Sequence, residues 1–394
     1  MHTLKKNEIH SYIDDLDNFI LKNENLIETW IKTKELKDTP LYSSIDIRNS
    51  GFKISPIDTN LFPSGFNNIS KQGLQKATQY FLQYFSKFFP DAKKIALVSE
   101  QFTRNVNYYE NIKFLLKALQ DTNLEVRVLI MGEESIDVEG LTFFQFQKQS
   151  SVIVTNDNWS PDLIVLNNDL TEKIPEKLTA LSIPILPNLK YGWHSRRKCS
   201  HYKAYNDLID LFCIEFKIDP WLISTYYSKC INVNFKKKEG LQCIAQKIDK
   251  LIVEIQKKYD EYQIKREPVV FIKPNNGTFG RGVMSVKSGD EIINLNKKMR
   301  HSLNTIKDNV INSEVVIQEG IPTIERVEDY PAESIIYLVG AKVIGKFMRY
   351  NTVKGVDNNL NSSGMLFAKN LEISPSELLL SKLATIAVSY EKIE

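Results

Sequence analysis

The segment from Val269 to Val286, VVFIKPNNGTFGRGVMSV, constrains this chain more than any other. An apolar, β-branched run ends at Lys273. A loop with Gly277, Gly280 and Gly282 follows, and Val283, Met284 and Val286 open a second apolar run. The pattern predicts strand–loop–strand. Glycines let backbone N–H groups turn inward and approach an anion closely, and a neighbouring lysine adds a compact positive charge. Such a loop can cover a nucleoside triphosphate, with Lys273 on the phosphates, a hydroxyl from Thr278 and a further cation at Arg281. Pro274 and Asn275 shape its entry. No helix is expected directly after the loop and no G-K-[ST] is present, which argues against a P-loop or a dinucleotide fingerprint. Read alone, the loop also suits an ordinary hairpin, and Lys273 a surface lysine before a turn.

The 394 residues suffice for roughly two or three domains. A hydrophobic share of 42% and a charged share of 25% are those of a globular protein with a large core. A net charge of +3 is small for this length and argues against broad binding to nucleic acid or acidic membranes. Cys199, Cys213, Cys230 and Cys243 show no C-x-x-C spacing and read as reduced thiols. The first residues, MHTLKKNEIHSY, lack a signal-peptide apolar core, and no run approaches the roughly 20 apolar residues of a membrane helix. A cytoplasmic protein with small-molecule partners is expected.

Residues 5–35 carry a helical period, with Ile9, Ile13, Leu16, Phe19, Ile20, Ile27, Trp30 and Ile31 recurring at three- and four-residue steps. Gly, Pro and Asn then mark 45–69 as short strands and functional loops. From 93 to 187, strand-like runs (95–99, 125–131, 151–155, 162–167, 182–187) alternate with helix-like stretches at 107–120 and 171–181. This is the rhythm of a mostly parallel α/β sheet. Residues 188–265 read as mainly helical, with KKKEG (236–240) as a turn between helices, and 268–350 as strand-rich, with a hairpin turning at Gly340. Ser288 with Glu291, and Ser374 with Pro375 and Glu377, read as helix starts with capping boxes. Leu379, Leu383, Ile386 and Tyr390 form the apolar stripe of the last helix. The whole reads as an α/β and α+β protein.

Lys-Pro followed by G-x-x-G-x-G on a strand–loop–strand, and then a strand ending Gln-Glu-Gly, resembles the ATP-grasp superfamily. Five segments together are similar to the ATP-grasp type of bacterial glutamate–cysteine ligase: RNSGFKISPIDTNLFPSGFNN (48–68), EQFTRNVNYYENI (100–112), GWHSRRKCSHY (192–202), FIKPNNGTFGRGVMSV (271–286) and IQEGIPTIER (317–326). AES…FMRYN…VDNNLNSSG (332–364) extends the likeness. The resemblance implies an ATP-grasp fold divided into an N-terminal helical segment (1–40), a mostly parallel α/β substrate-side domain (41–190), a mainly helical lobe (191–267) and a C-terminal lobe with the glycine loop (268–394). It implies ATP and Mg2+ as cofactors, and coupling of the glutamate γ-carboxylate to the amine of cysteine through an acyl phosphate. No protein nucleophile is required for that chemistry, and no G-x-S-x-G motif is present. Another carboxylate–amine ligase, such as a glutathione synthetase-like enzyme, and a non-catalytic nucleotide-binding protein are the alternatives.

On that likeness Gln318 and Glu319 hold adenine and ribose. Arg196, Arg197 and Lys198, between His194 and His201, form a cationic cluster suited to phosphate or a substrate carboxylate, since an arginine fork matches a carboxylate bidentately. A solvated face is the plainer alternative, and the His and Cys199 spacing fits no common zinc site. Arg48, Lys53, Asp58, Asn60, Asn67 and Asn68 sit in the loop-rich segment, where Asp58 could receive an amino group and Arg48 a carboxylate. Turn chemistry alone also explains such residues. Arg104 and Asn105 follow a strand end, where open α/β sheets bind ligands. For Mg2+ the superfamily usually presents an acidic pair and an Asn late in the chain. Here that region offers Glu333, Asn359 and Asn361, with Arg349 as the matching arginine. No acidic pair ending in Asn comes after them.

Overall fold

The computed structural model describes residues 11–36, 38–100, 106–132, 137–277, 282–304, 312–369 and 372–393. Thr278, Gly280, Arg281, Arg104 and Asn105 therefore lie outside the described residues. Helices α1 (Tyr12–Lys22) and α2 (Glu24–Lys32) precede a hairpin of β1 (Tyr42–Asn49) and β2 (Ile54–Asn60). Helix α3 (Lys71–Phe88), strand β3 (Lys94–Ser99), helix α4 (Val106–Gln120) and strand β4 (Glu125–Ile130) follow. Short strands β5 (Phe143–Gln145), β6 (Gln147–Gln149) and β7 (Val152–Val154) lead to β8 (Leu163–Asn167) and β9 (Ile185–Leu186). Next come α5 (Lys198–Phe216), β10 (Tyr227–Cys230) and α6 (Leu241–Glu261). Strands β11 (Val270–Pro274) and β12 (Met284–Val286) flank the glycine loop, before α7 (Asp290–Ile293), α8 (Lys297–Asn304) and β13 (Val315–Glu319). The last elements are β14 (Arg326–Val327), β15 (Tyr330–Val339), β16 (Lys342–Asn351), β17 (Met365–Lys369) and α9 (Pro375–Ala387).

The architecture is mixed α/β, with one parallel sheet and antiparallel sheets. The parallel sheet runs β5-β4-β3-β8-β9. A four-stranded antiparallel sheet runs β10-β13-β11-β12 and carries the glycine loop at one edge. The third sheet, β17-β16-β15-β1-β2 with β14 on β15, is antiparallel and draws strands from both ends of the chain. Strand β1 pairs with β15 across more than 280 residues, so this sheet draws on both the 41–190 and the 268–394 segments.

Alternation along the strands decides which face is buried. Ile45, Ile47, Ile336 and Leu338 point to a core built with α1, α2, α5 and α9. Tyr42, Ile335, Tyr337 and Phe347 point the other way, into a second core with α3, α4 and one face of the parallel sheet. The four-stranded sheet packs on α6 through Val270, Ile272, Val315 and Ile317. Helix α9 is fixed by the expected capping box. Ser374 Oγ accepts the Glu377 N–H, and Glu377 Oε2 accepts the Ser374 N–H, a motif that contributes about 1 kcal/mol. Glu377 also pairs with Lys346 at 2.7 Å, tying the helix to β16.

Several local expectations change. The first helical stretch breaks at Asn23, whose side-chain amide donates to Phe19 O, so two helices form. Residues 171–181 give only a 3-10 turn at Glu176–Leu178, since Pro175 lacks an N–H and Ala180 adopts a positive φ. The strand at Val152–Val154 pairs with β6 rather than joining the parallel sheet. Strand β10 lies within the stretch read as mainly helical. Ser288 is not a cap: α7 starts from Gly289, and Glu291 accepts the Lys287 N–H instead. Tyr390 leaves the apolar stripe and is 41% exposed.

Candidate active site

The polar face of the third sheet forms the floor of a cleft. Ser44, Asp46 and Arg48 alternate on β1 with the buried Ile45 and Ile47. Register places Asp46 opposite Asp58 and Ser44 opposite Asn60, so two carboxylates and an amide share this face. A register shift after Asp46 re-aims the end of the hairpin. Glu333 on β15 stands opposite Arg349 on β16. Arg349 donates to Glu333 Oε1 at 2.7 Å and also contacts Asp46, while Arg48 donates to Glu333 Oε2 at 2.5 Å. Burial pushes the Glu333 carboxyl up, but Arg48 and Arg349 outweigh it and hold the group at about 2. Burial dominates at Asp46 and raises its value despite Arg349.

Strand β2 is an edge, and its outward carbonyls are met by side chains rather than by another strand. Thr225 Oγ1 donates to Pro56 O at 3.2 Å, Lys273 Nζ to Ile57 O at 3.0 Å, Tyr202 OH to Ile57 O at 2.9 Å and Arg196 Nη1 to Thr59 O at 2.7 Å. Lys198 Nζ donates to Asp58 Oδ1 at 2.5 Å and lies over the Trp193 ring. These contacts hold the small antiparallel sheet and the start of α5 against the floor. Asn275 strengthens the join: its backbone O accepts the Lys198 N–H and its Oδ1 the Cys199 N–H. Burial lowers the Lys273 ammonium, and Asp58 offsets this only in part, leaving it at about 8. Burial pushes Asp58 up, but Lys198 and Lys273 prevail and hold it below the usual carboxylate range.

Three cavities lie in line along this floor. The first is lined by Phe271, Gln318, Glu319, Ile321 and Arg48. It shares Ile57, Lys273, Val283 and Asn359 with the second, which adds Lys198, Gly277 and Glu333. The second shares Asp46, Asp58, Arg349 and Asn361 with the third, a chamber of about 310 Å3 that reaches Asn60, Asn67, Asn68, Asp169 and Trp193. Gly282 at the far side of the loop has φ +68, and a Cβ there would meet Pro274 Cγ at 2.9 Å, so the turn back into β12 requires glycine.

Most sequence-expected residues thus meet in one cleft: Lys273, Lys198, Gly277, Gln318, Glu319, Arg48, Asp58, Asn60, Asn67, Glu333, Arg349, Asn359 and Asn361. Four expected residues, Gly282 and the three that follow, stand outside the three linings. Arg196 is 2% exposed and spends its fork on Glu391 and its Nη1 on Thr59 O. Arg197 turns to Glu314 at 3.4 Å. Lys53 is buried behind the first cavity, 3.0 Å from Glu319 and donating to Trp221 O. Asp46 was missed, although its place in SIDIR, alternating with isoleucines, was a signal that it shares a strand face with Arg48.

Oxygen donors suit Mg2+, which takes one or two carboxylates and leaves room for phosphate oxygens and water. Asp46 and Asp58 face each other across β1 and β2, and Asn60 Oδ1 beside them is buried with no hydrogen-bond partner among the described residues. That orphaned oxygen makes this trio a better fit than Glu333, both of whose oxygens are engaged by arginines. No cluster of three or more His, Cys, Asp or Glu among the described residues could hold a metal. Asn359 and Asn361 bond to each other, the Asn361 N–H donating to Asn359 Oδ1 at 3.0 Å.

A cleft that brings Lys273 and Gly277 next to a facing carboxylate pair and a polar chamber, on a mixed α/β frame, suits anionic small molecules. A family model described as glutamate-cysteine ligase matches residues 17–382, and the chain belongs to that family. A solved Methylobacillus flagellatus KT protein, provisionally described as a gamma-glutamylcysteine synthetase, is 32% identical, covers 99% of each chain and superposes with a TM-score of 0.88. D-alanyl-alanine synthetase A from Vibrio cholerae O1 biovar eltor aligns over 75% of this chain and 80% of its own at 14% identity, and its TM-score of 0.34 is too low to bear on the fold. No curated protein matches the chain. Among the described residues no helix is long and apolar enough to cross a membrane.

Proposed function

We propose that this ligase binds ATP along the three joined cavities in an ATP-grasp manner and couples glutamate to cysteine through an acyl phosphate. The observation that carries the reading is the order of the cavities. An apolar slot with Phe271 and Ile321 suits a purine, the cationic middle with Lys273 and Lys198 suits phosphates, and the chamber beyond Arg349 suits two amino acids. The terminal phosphate then falls where Asp46, Asp58, Arg349 and Asn361 belong to both neighbouring spaces.

A carboxylate is a poor electrophile because its oxygen leaves badly. In the proposed sequence a γ-carboxylate oxygen of glutamate attacks the terminal phosphorus and the bond to ADP breaks. The cysteine amine then attacks the acyl carbon, loses a proton and expels phosphate. The chain contributes position and charge: Lys273 and Lys198 neutralise phosphate, Arg349 steers the carboxylate, and the enclosing lobes exclude water. Asp46, Asp58 and Asn60 would hold Mg2+, which when bound neutralises charge on the transferred phosphoryl group.

With purified protein, ATP and magnesium, phosphate release is expected only when glutamate and cysteine are both present. Release indifferent to cysteine contradicts the proposal. Equal rates with dipeptide acceptors would favour a different carboxylate–amine ligase.

A further inference from the structure

Glu391, just past α9, has 0% side-chain exposure, an unusual place for a carboxylate outside any ligand cavity. It grips Arg196 through both oxygens. Arg196 Nε donates to Oε2 at 2.9 Å and Nη2 to Oε1 at 2.7 Å, and His201 Nδ1 lies 2.7 Å from Oε1. Burial raises the Glu391 carboxyl, but Arg196 and His201 outweigh it and hold it at about 2, so it stays ionised. A bidentate pair of this kind fixes the guanidinium plane as well as its charge. The remaining Arg196 nitrogen, Nη1, reaches Thr59 O at 2.7 Å.

Thr59 lies between Asp58 and Asn60 on the edge strand. Its carbonyl points away from β1, so nothing in the sheet itself fixes it. Sliding or twisting of β2 at that point would move Asp58 and Asn60 relative to Asp46. We propose that Glu391, acting through Arg196 and the Thr59 carbonyl, is a positioning residue for the metal-binding strand. The inference rests on the assignment of Asp46, Asp58 and Asn60 to Mg2+ above. It gives the arginine of the basic turn a task different from touching substrate: Arg196 sets the geometry of the groups that do. Groups that hold metal-binding residues in place are worth about 10–100-fold in metal affinity.

The test uses the full chain with a non-hydrolysable ATP analogue, and Mn2+ as the probe, bound metal being read by its electron paramagnetic resonance. Glu391→Gln keeps the shape but removes the charge that holds the fork, and is expected to weaken Mn2+ binding about tenfold. Affinity for the analogue without metal should not change. Glu391→Asp should recover part of the loss. Arg196→Lys keeps the charge but gives up the planar fork, and should weaken Mn2+ as Glu391→Gln does, which carries the test if the glutamine variant does not fold. Unaltered Mn2+ affinity in the folded variants, with only a lower melting temperature, overturns the proposal. Asp58→Asn separates the two readings. If it abolishes Mn2+ binding while Glu391→Gln does not alter it, the clasp alone is refuted. If Asp58→Asn binds Mn2+ normally, the metal assignment fails.

Discussion

Lys273→Ala is expected to lower kcat/KM for γ-glutamylcysteine formation by roughly 10²–10³, the usual cost of removing one preorganised donor aimed at developing charge. The residue lies near the end of β11, where it lines both the first and the second cavity. Its hydrogen bond to Ile57 O spans the join between the small sheet and the floor. Burial has already drawn the group down to about 8, so much of its desolvation is complete before a phosphate arrives. Both ATP affinity and turnover should fall, because the charge holds phosphate in the ground state and is worth more still as charge develops in the transition state. The fold should persist, since Tyr202 still bridges to Ile57 and Asn275 still caps the start of α5. Steady-state kinetics with varied ATP, alongside a thermal melt, checks this. A variant with full activity would remove the phosphates from this cleft.

A second large effect is expected at Asp58. Asp58→Asn leaves the size of the side chain and removes one of two facing carboxylates. If these hold the metal, the loss is several kcal/mol of charge stabilisation, or roughly 10³ in kcat. The dependence on magnesium should move to higher concentration in the same variant. Lys198, now lacking its 2.5 Å partner, still has the Trp193 face beneath it, which limits the structural cost. Magnesium titrations of turnover measure the effect. An unchanged magnesium profile would mean that Asp58 meets only lysines.

The parts of this site that were legible in the sequence are those whose chemistry is local. The glycines and Lys273 are contiguous, so a strand–loop–strand could be read from their spacing, and β11 and β12 form that hairpin. The Ser374–Pro375–Glu377 start of α9 is equally local. What escaped depends on distant partners. In sequence Arg196 stands with Arg197 and Lys198 as a cation suited to phosphate or a substrate carboxylate, because nothing near it shows that Glu391, 195 residues away, lies against it. Asp46 escaped for a related reason: an acidic pair with an Asn was sought late in the chain, whereas the fold brings the first hairpin to the edge of β15 and supplies Asp46, Asp58 and Asn60 from there. Strand order in a sheet assembled from both chain ends likewise leaves no trace in periodicity. Residues 171–181 show the converse, a helical pattern overruled by Pro175 and by the positive φ of Ala180.

The most direct test of the central claim follows oxygen. Glutamate labelled with 18O in its γ-carboxylate is incubated with the enzyme, ATP, magnesium and cysteine, and the phosphate released is analysed by mass. If the carboxylate is phosphorylated before the amine attacks, each phosphate formed carries one labelled oxygen. Phosphate free of label would mean that ATP is cleaved by water and that this cleft does not activate the acid.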